Sequence, residues 1–235
     1  MDPILLPSKM RFTKGERLHE GILTVEPCAQ GYGTTLGNAL RRVLLGSLSG
    51  AAVTAVKIKG VEHEFSTLAH VKEDMLEVIL NLKMLRMKLF SEEPVKLTLS
   101  VKGEKIVTGK DFMANAQVEI INKDLPIATL TDPSGALEMD IWASPGRGYR
   151  STEERSKEKL ELGTIAIDAL YSPVLNVSYK VEATRVGEKT DFDKLILRVE
   201  TDGTVDPLDA TNQAVAVLLD YVNVLKDLTY TEEKA

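Results

Sequence analysis

The chain has 235 residues, 43% of them hydrophobic, and carries 29 Lys and Arg against 35 Asp and Glu for a formal net charge of −6. That is enough apolar material for one large or two small cores, and the wrong sign for a surface that gathers phosphates. The single cysteine, Cys28, excludes an internal disulfide and a thiolate metal cluster; without a secretory signal or an apolar run of membrane-spanning length, a reducing cytoplasm is the expected compartment.

Gly21–Glu26 reads as a strand entering a helix that extends to Leu48. Leu36, Leu40, Val43, Leu44 and Leu48 recur at helical spacing and are expected to face a core. Thr34 or Thr35 is the expected N-cap, Gly50 the expected stop, and Gly31 and Gly33 let the backbone turn into the helix. At roughly 100° per residue, Asn38, Arg42 and Leu45 fall together on another side, an amide and an arginine flanking a leucine the core does not need. That is the composition of a docking surface. The glycines fit neither GxGxxG nor GxxxxGK[ST], so a phosphate cradle is not expected.

Ala51–Ile58 reads as the strand leaving this helix. A second helix is expected over about Val71–Met87, with Met75, Leu76, Ile79, Leu80 and Leu82 apolar, acids in its first turn, and Lys83 and Arg86 near its end. Val95–Val101, Ile106–Thr108, Gln117–Ile121, Ile127–Leu130 and Leu137–Ile141 alternate at period two and form a small antiparallel unit. Ser144–Glu161 is polar and reads as an exposed loop, in which Glu153, Glu154, Glu158 and Glu161 offset Arg147, Arg150, Arg155, Lys157 and Lys159. Val177, Tyr179, Val181 and Ala183 then pair as a hairpin with Leu195, Leu197 and Val199 across a loop from Gly187 to Lys194. Asp206 and Pro207 open a last helix carrying Ala214, Val217, Leu218, Tyr221, Val222, Leu225 and Leu228. Val215, Leu219 and Val224 add apolar perimeter beyond this stripe, more than one sheet uses, so a second chain is the expected cover.

The sequence offers no catalytic, cofactor-binding or metal-ligating residue by motif or spacing. His19, His63 and His70 form no HExxH, and His63 between Glu62 and Glu64 reads as strand surface. No GxSxG elbow is present. Asp191 and Asp193 resemble a magnesium-binding carboxylate pair, but beside Lys189 and Lys194 they read as turn formers and ion-pair partners. A homodimeric module that binds a small ligand or peptide, and an enzyme with an unrecognised site, are the competing readings.

Ordered blocks of uncommon words bring a family into view: GTTLGNALRRVLLGS, GVEHEFSTLAHVKEDMLEVILNLK, VEIINKDLPIATL, GRGY, IDALYSPV and TDFDKLILRVETDGTVDP. From about Leu23 to Leu228 the chain closely resembles the amino-terminal, assembly domain of the alpha subunit of bacterial RNA polymerase, departing from it at Ser49, at Ala69-His70 in place of a common Pro-Gly, and at Arg150–Thr152. The resemblance implies an α+β fold of two subdomains: a discontinuous dimerisation domain, residues 1–49 plus 171–228, of antiparallel sheet packed with two helices, and an inserted mainly-β subdomain, residues 50–170. Ser49-Gly50 and Ser172-Pro173 are the expected turn-forming junctions, and Thr229–Ala235 the expected start of a linker to a carboxy-terminal DNA-binding domain that this sequence does not contain.

It further implies a non-catalytic platform. Leu36, Leu40, Val43, Leu44, Val217, Leu218, Tyr221, Val222 and Leu225 would form the homodimer interface. Arg42, with Arg41, Asn38, Leu45 and Lys83, would contact the beta subunit, and Lys180, Arg185, Asp191, Asp193 and Lys194 the beta-prime subunit. Omega and sigma would join the larger assembly, whose magnesium and zinc belong to other subunits; neither direct DNA binding nor membrane contact is expected of this portion.

Overall fold

The computed structural model describes residues 4–155, 161–187 and 189–226. The fold is α+β, and the chain divides into two compact units: one runs up to Leu48 and resumes at Val174, and the other is Ser49–Pro173.

The first unit is a four-stranded antiparallel sheet with helices on one face. Its strands are β1 (Lys9–Lys14), β2 (Glu20–Cys28), β13 (Val174–Val186) and β14 (Lys189–Thr201), in the order β1-β2-β14-β13. Period-two alternation makes the long hairpin: Tyr179 opposes Leu197 and Val181 opposes Leu195. Leu195, Leu197 and Val199 are fully buried on the side covered by α1 (Tyr32–Gly46) and α3 (Pro207–Lys226). Leu40, Leu44 and Leu48 meet Val174, Val177, Leu197, Val199, Ala210 and Ala214 there; each large aliphatic side chain buried in this way contributes about 1.5–3 kcal/mol. Asp206 caps α3, its carboxylate accepting from the Leu208 N–H at 2.9 Å. β1 has no counterpart in the sequence reading, because it is an edge strand with mostly exposed residues and no clean alternation.

Two expectations about α1 are corrected. Neither threonine caps it: the cap position is Gly31, at φ 84°, and the Thr35 hydroxyl donates backward to the Gly31 carbonyl at 3.2 Å. Nor does Gly50 stop it, since the helix ends at Gly46 and Gly50 lies in the following strand.

The second unit centres on the antiparallel sheet β11-β3-β9-β5, formed by β3 (Ser49–Ile58), β5 (Val95–Lys102), β9 (Ala136–Arg147) and β11 (Thr164–Ala166). Three strand pairs flank it: β4 (Met87–Leu89) with β7 (Val118–Ile120), β6 (Lys105–Thr108) with β8 (Pro126–Leu130), and β10 (Tyr149–Arg150) with β12 (Ala169–Leu170). One helix, α2 (Met75–Lys83), packs into a core that includes Val56, Met75, Leu82, Leu99, Leu137 and Ile141.

α2 is shorter than the expected Val71–Met87. The segment before it is tied to β8: the Lys72 N–H donates to the Thr129 carbonyl at 3.0 Å, and the Glu73 carboxylate accepts from the Thr129 N–H at 2.6 Å and hydroxyl at 2.8 Å. Asp74 then caps the helix by accepting from the Glu77 N–H at 2.7 Å. Past Met84 the apolar run continues as strand, with Met87 opposite Ile120.

The expected loop from Ser144 begins inside β9, where Arg147 and Gly146 pair with Ser49 and Gly50. That junction is therefore ladder rather than turn. Glycine is required at position 50, because a Cβ there would lie 1.9 Å from the Tyr171 carbonyl oxygen. Arg155, expected to be solvated, turns inward and donates to the carbonyls of Thr54, at 3.3 Å, and Ile167. His63 lies in a bend rather than a strand, its ring Nδ1 3.2 Å from the Ser66 hydroxyl. Lys157, Glu158, Lys159, Leu228 and the segment Thr229–Ala235 lie outside the described residues.

Candidate functional site

α1 is set onto its sheet by glycine. A Cβ on Gly33 would lie 3.0 Å from Asp193 and from Val181, and one on Gly37 would lie 2.6 Å from the Tyr179 ring and 2.9 Å from Leu195. The buried ridge is consequently Gly33, Gly37, Leu40 and Leu44, and the helix backbone rests directly on β13 and β14. Leu36, expected in the core, is displaced to a flank and is 37% exposed, with Tyr32 beside it and Val43 partly buried.

This packing leaves Asn38, Arg41, Arg42 and Leu45 exposed together on another side of α1. Among the described residues neither arginine has an ion-pair partner, so two guanidinium groups stand beside a leucine on a rigid element.

α3 presents the larger apolar surface. Its stripe is buried at Ala210 and Ala214 and partly buried at Val217 and Leu218, then continues past its own sheet as Tyr221 and Leu225, 72% and 60% exposed. Val215, Leu219 and Val222 form a second exposed row, and Val224 is exposed as well. A helix of 20 residues is roughly 30 Å long, longer than the domain beneath it covers.

The candidate residues on the hairpin divide between its faces. Lys180 and Lys194 lie on the face away from α1; Lys180 pairs with Glu182 at 2.8 Å and Lys194 with Glu26 at 3.9 Å. Asp193 lies on the α1 face, in strand rather than in the expected loop, and its Oδ2 accepts from the Gly31 N–H at 2.9 Å and the Gly33 N–H at 3.1 Å. Arg185 donates from Nε to the Gly187 carbonyl at 2.6 Å beside the turn, and Asp191 is exposed. Sequence reasoning missed the role of Asp193 at the helix start, since 160 residues separate it from Gly33 and the nearby Thr34 and Thr35 offer a local cap that the structure does not use.

In the second unit, Lys83 ends α2 and donates to Asp168 at 3.4 Å, each side chain about a third exposed. The Thr152 N–H, first of all, and Lys83 hold the Asp168 carboxyl below the usual aspartate range. Leu76, Leu80, Lys83, Thr152 and Asp168 line one side of an open groove of about 450 Å³. Burial, followed by the nearby Asp193 carboxylate, raises the Cys28 thiol above its ordinary value, which makes it a poor nucleophile. Among the described residues no group of three or more His, Cys, Asp or Glu is placed to hold a metal ion, and no helix is long and apolar enough to cross a membrane.

A family model described as the RNA polymerase Rpb3/RpoA insert domain matches residues 56–172. The chain is 46% identical over 215 residues to the DNA-directed RNA polymerase subunit alpha of Macrococcus caseolyticus, covering 92% of this chain and 68% of that relative. To the subunit alpha of Alkaliphilus oremlandii it is 47% identical over 209 residues, 89% of this chain and 66% of the relative. Its similarity to that of Moorella thermoacetica has the same extent. The chain thus spans about two thirds of the length of these relatives.

Proposed function

The chain belongs to the family of DNA-directed RNA polymerase alpha subunits, and on that premise we propose that it is a non-catalytic assembly platform. Two copies dimerise through α1 and α3, and the dimer binds the beta subunit on one protomer and the beta-prime subunit on the other. Nucleotide transfer belongs to those partners, as do the magnesium and zinc of the larger assembly; omega and sigma join it as well. The compartment is the cytoplasm, and this portion makes no direct contact with DNA.

The observation that carries this reading is the overhang of α3. Its core-facing stripe runs from the buried Ala214 to the exposed Tyr221 and Leu225 without losing its apolar character, and contiguous apolar surface of this kind marks an interface. A second copy presents the same stripe, so one two-fold axis covers both. An obligate interface of this type buries upwards of ~2,000 Å².

On the protomer that takes the beta subunit, the Asn38–Arg41–Arg42–Leu45 face, clear of the dimer stripe, serves as the contact, with Lys83 as a further point of contact in the second unit. The hairpin carrying Lys180, Arg185, Asp191, Asp193 and Lys194 serves beta-prime. Truncating an interfacial charge costs on the order of 2 to 5 kcal/mol. The test is capture of the beta subunit by the tagged chain: Arg42→Ala should weaken capture at least tenfold while the mass of the dimer stays unchanged. Wild-type capture by Arg42→Ala would remove Arg42 from the contact.

A further inference from the structure

A helix start normally leaves four backbone N–H groups without intrahelical partners. α1 has no side-chain cap within its own sequence: its cap residue is Gly31, in the left-handed region at φ 84°. Asp193, arriving from β14, supplies what is missing by accepting from Gly31 and Gly33 with a single carboxylate oxygen. The negative group also suits the positive end of the helix dipole.

The surroundings are shaped for this contact. The Asp193 Cβ and Oδ2 each lie 3.0 Å from where a Gly33 Cβ would stand, so glycine at 33 makes room for the carboxylate. The extra residue at the neighbouring register shift belongs to β2, where Val25 pairs with Leu195 and Cys28 with Asp193, so β14 runs regularly past Asp193 against β13 and places that residue on the same face as Leu195. Two residues on, Leu195 is fully buried. One side chain thus joins the hairpin to the helix that carries Arg42.

We propose that Asp193 is a positioning residue for the beta-binding face of α1, acting through the helix start rather than by touching the beta subunit. The inference rests on the reading of Asn38, Arg42 and Leu45 as that face. It also changes the expectation for Asp193, which serves the contact surface on α1 although it lies in the hairpin assigned to beta-prime.

The test uses the whole chain as Asp193→Ala and Asp193→Asn, each also combined with Arg42→Ala. The readouts are dimer mass, affinity for the beta subunit, and hydrogen exchange of the amides at 31–35. Asp193→Ala should leave the dimer mass unchanged, speed exchange at 31–35, and weaken beta binding about five- to tenfold. Asp193→Asn, which keeps an acceptor oxygen, should recover most of both effects. In the Arg42→Ala background the further loss should be much smaller, because Asp193 acts through the face already damaged. Unchanged exchange at 31–35 would overturn the proposal, and so would an undiminished further loss in the Arg42→Ala background, which would mean direct contact. If Arg42→Ala alone leaves binding intact, the reading of the face fails, while the exchange arm still decides whether Asp193 holds the helix.

Discussion

Gly37 lies against the ring of Tyr179, so close that a Cβ would stand 2.6 Å from the ring carbon Cδ2. The contact fixes how near α1 approaches β13. Alanine is intrinsically the better helix former by about 1 kcal/mol, yet overpacking at such a site costs roughly 1–3 kcal/mol. Gly37→Ala should therefore lower stability in denaturant melts, whereas Gly46→Ala, which meets nothing within 4 Å, should raise it by about 0.5–1 kcal/mol.

His70 sits at φ 65°, a left-handed conformation that a side chain adopts at a cost. Its carbonyl accepts from the Thr131 N–H at 2.9 Å, a backbone bond that any residue at 70 retains. His70→Gly should relieve the strain and raise stability by about 0.5–1 kcal/mol, after the entropy glycine adds to the unfolded chain is subtracted. A lower melting temperature for His70→Gly would show that the histidine side chain contributes more than its backbone costs.

The Asp168 carboxyl is held below its ordinary range by the Thr152 N–H first and by Lys83 as well. A depressed carboxylate contributes stability that is fully present above the unfolded aspartate value of about 3.9 and is lost as pH falls through the lower folded value. The difference in stability between the native chain and Asp168→Asn should be constant near neutral pH and shrink below about pH 4. A difference that grew in acid would give the opposite sign and reject the assignment.

Leu225 and Val222 are both 60% exposed within one protomer, so charge at either is tolerated by the monomer fold and not by a covered interface. Val222→Glu and Leu225→Glu should each raise the dimer dissociation constant over a hundredfold, about 3 kcal/mol, with little change in monomer secondary structure. Light scattering across a dilution series measures this directly. A dimer of native affinity would mean that this half of α3 is covered by something else.

How much of this was legible in the sequence depended on range. The hairpin and α3 could be read because Val177–Val181, Leu195–Val199 and Asp206-Pro207 are local signals of period and capping. α2 is shorter than its apolar pattern because the run through Leu85 and Met87 continues as strand, and because the long-range bonds from Lys72 and Glu73 to Thr129 hold the preceding segment out of the helix that Asp74 caps. The polar end of β9 reads as loop in the sequence because its pairing with Ser49 and Gly50 depends on a partner far along the chain. At the candidate site, the Asn38–Arg42–Leu45 face followed from helical spacing. The displacement of Leu36 and the cap from Asp193 did not, since both arise from how closely Gly33 and Gly37 let the helix approach the sheet.

We propose a dimeric platform that gives one protomer to the beta subunit and leaves the other for beta-prime. Its most direct test is the stoichiometry of the complex formed when excess beta subunit is added to the purified chain, measured as absolute mass by light scattering after size exclusion. The expected complex holds two copies of this chain with one beta subunit. A complex containing a single copy of this chain, or no complex at all, would contradict it.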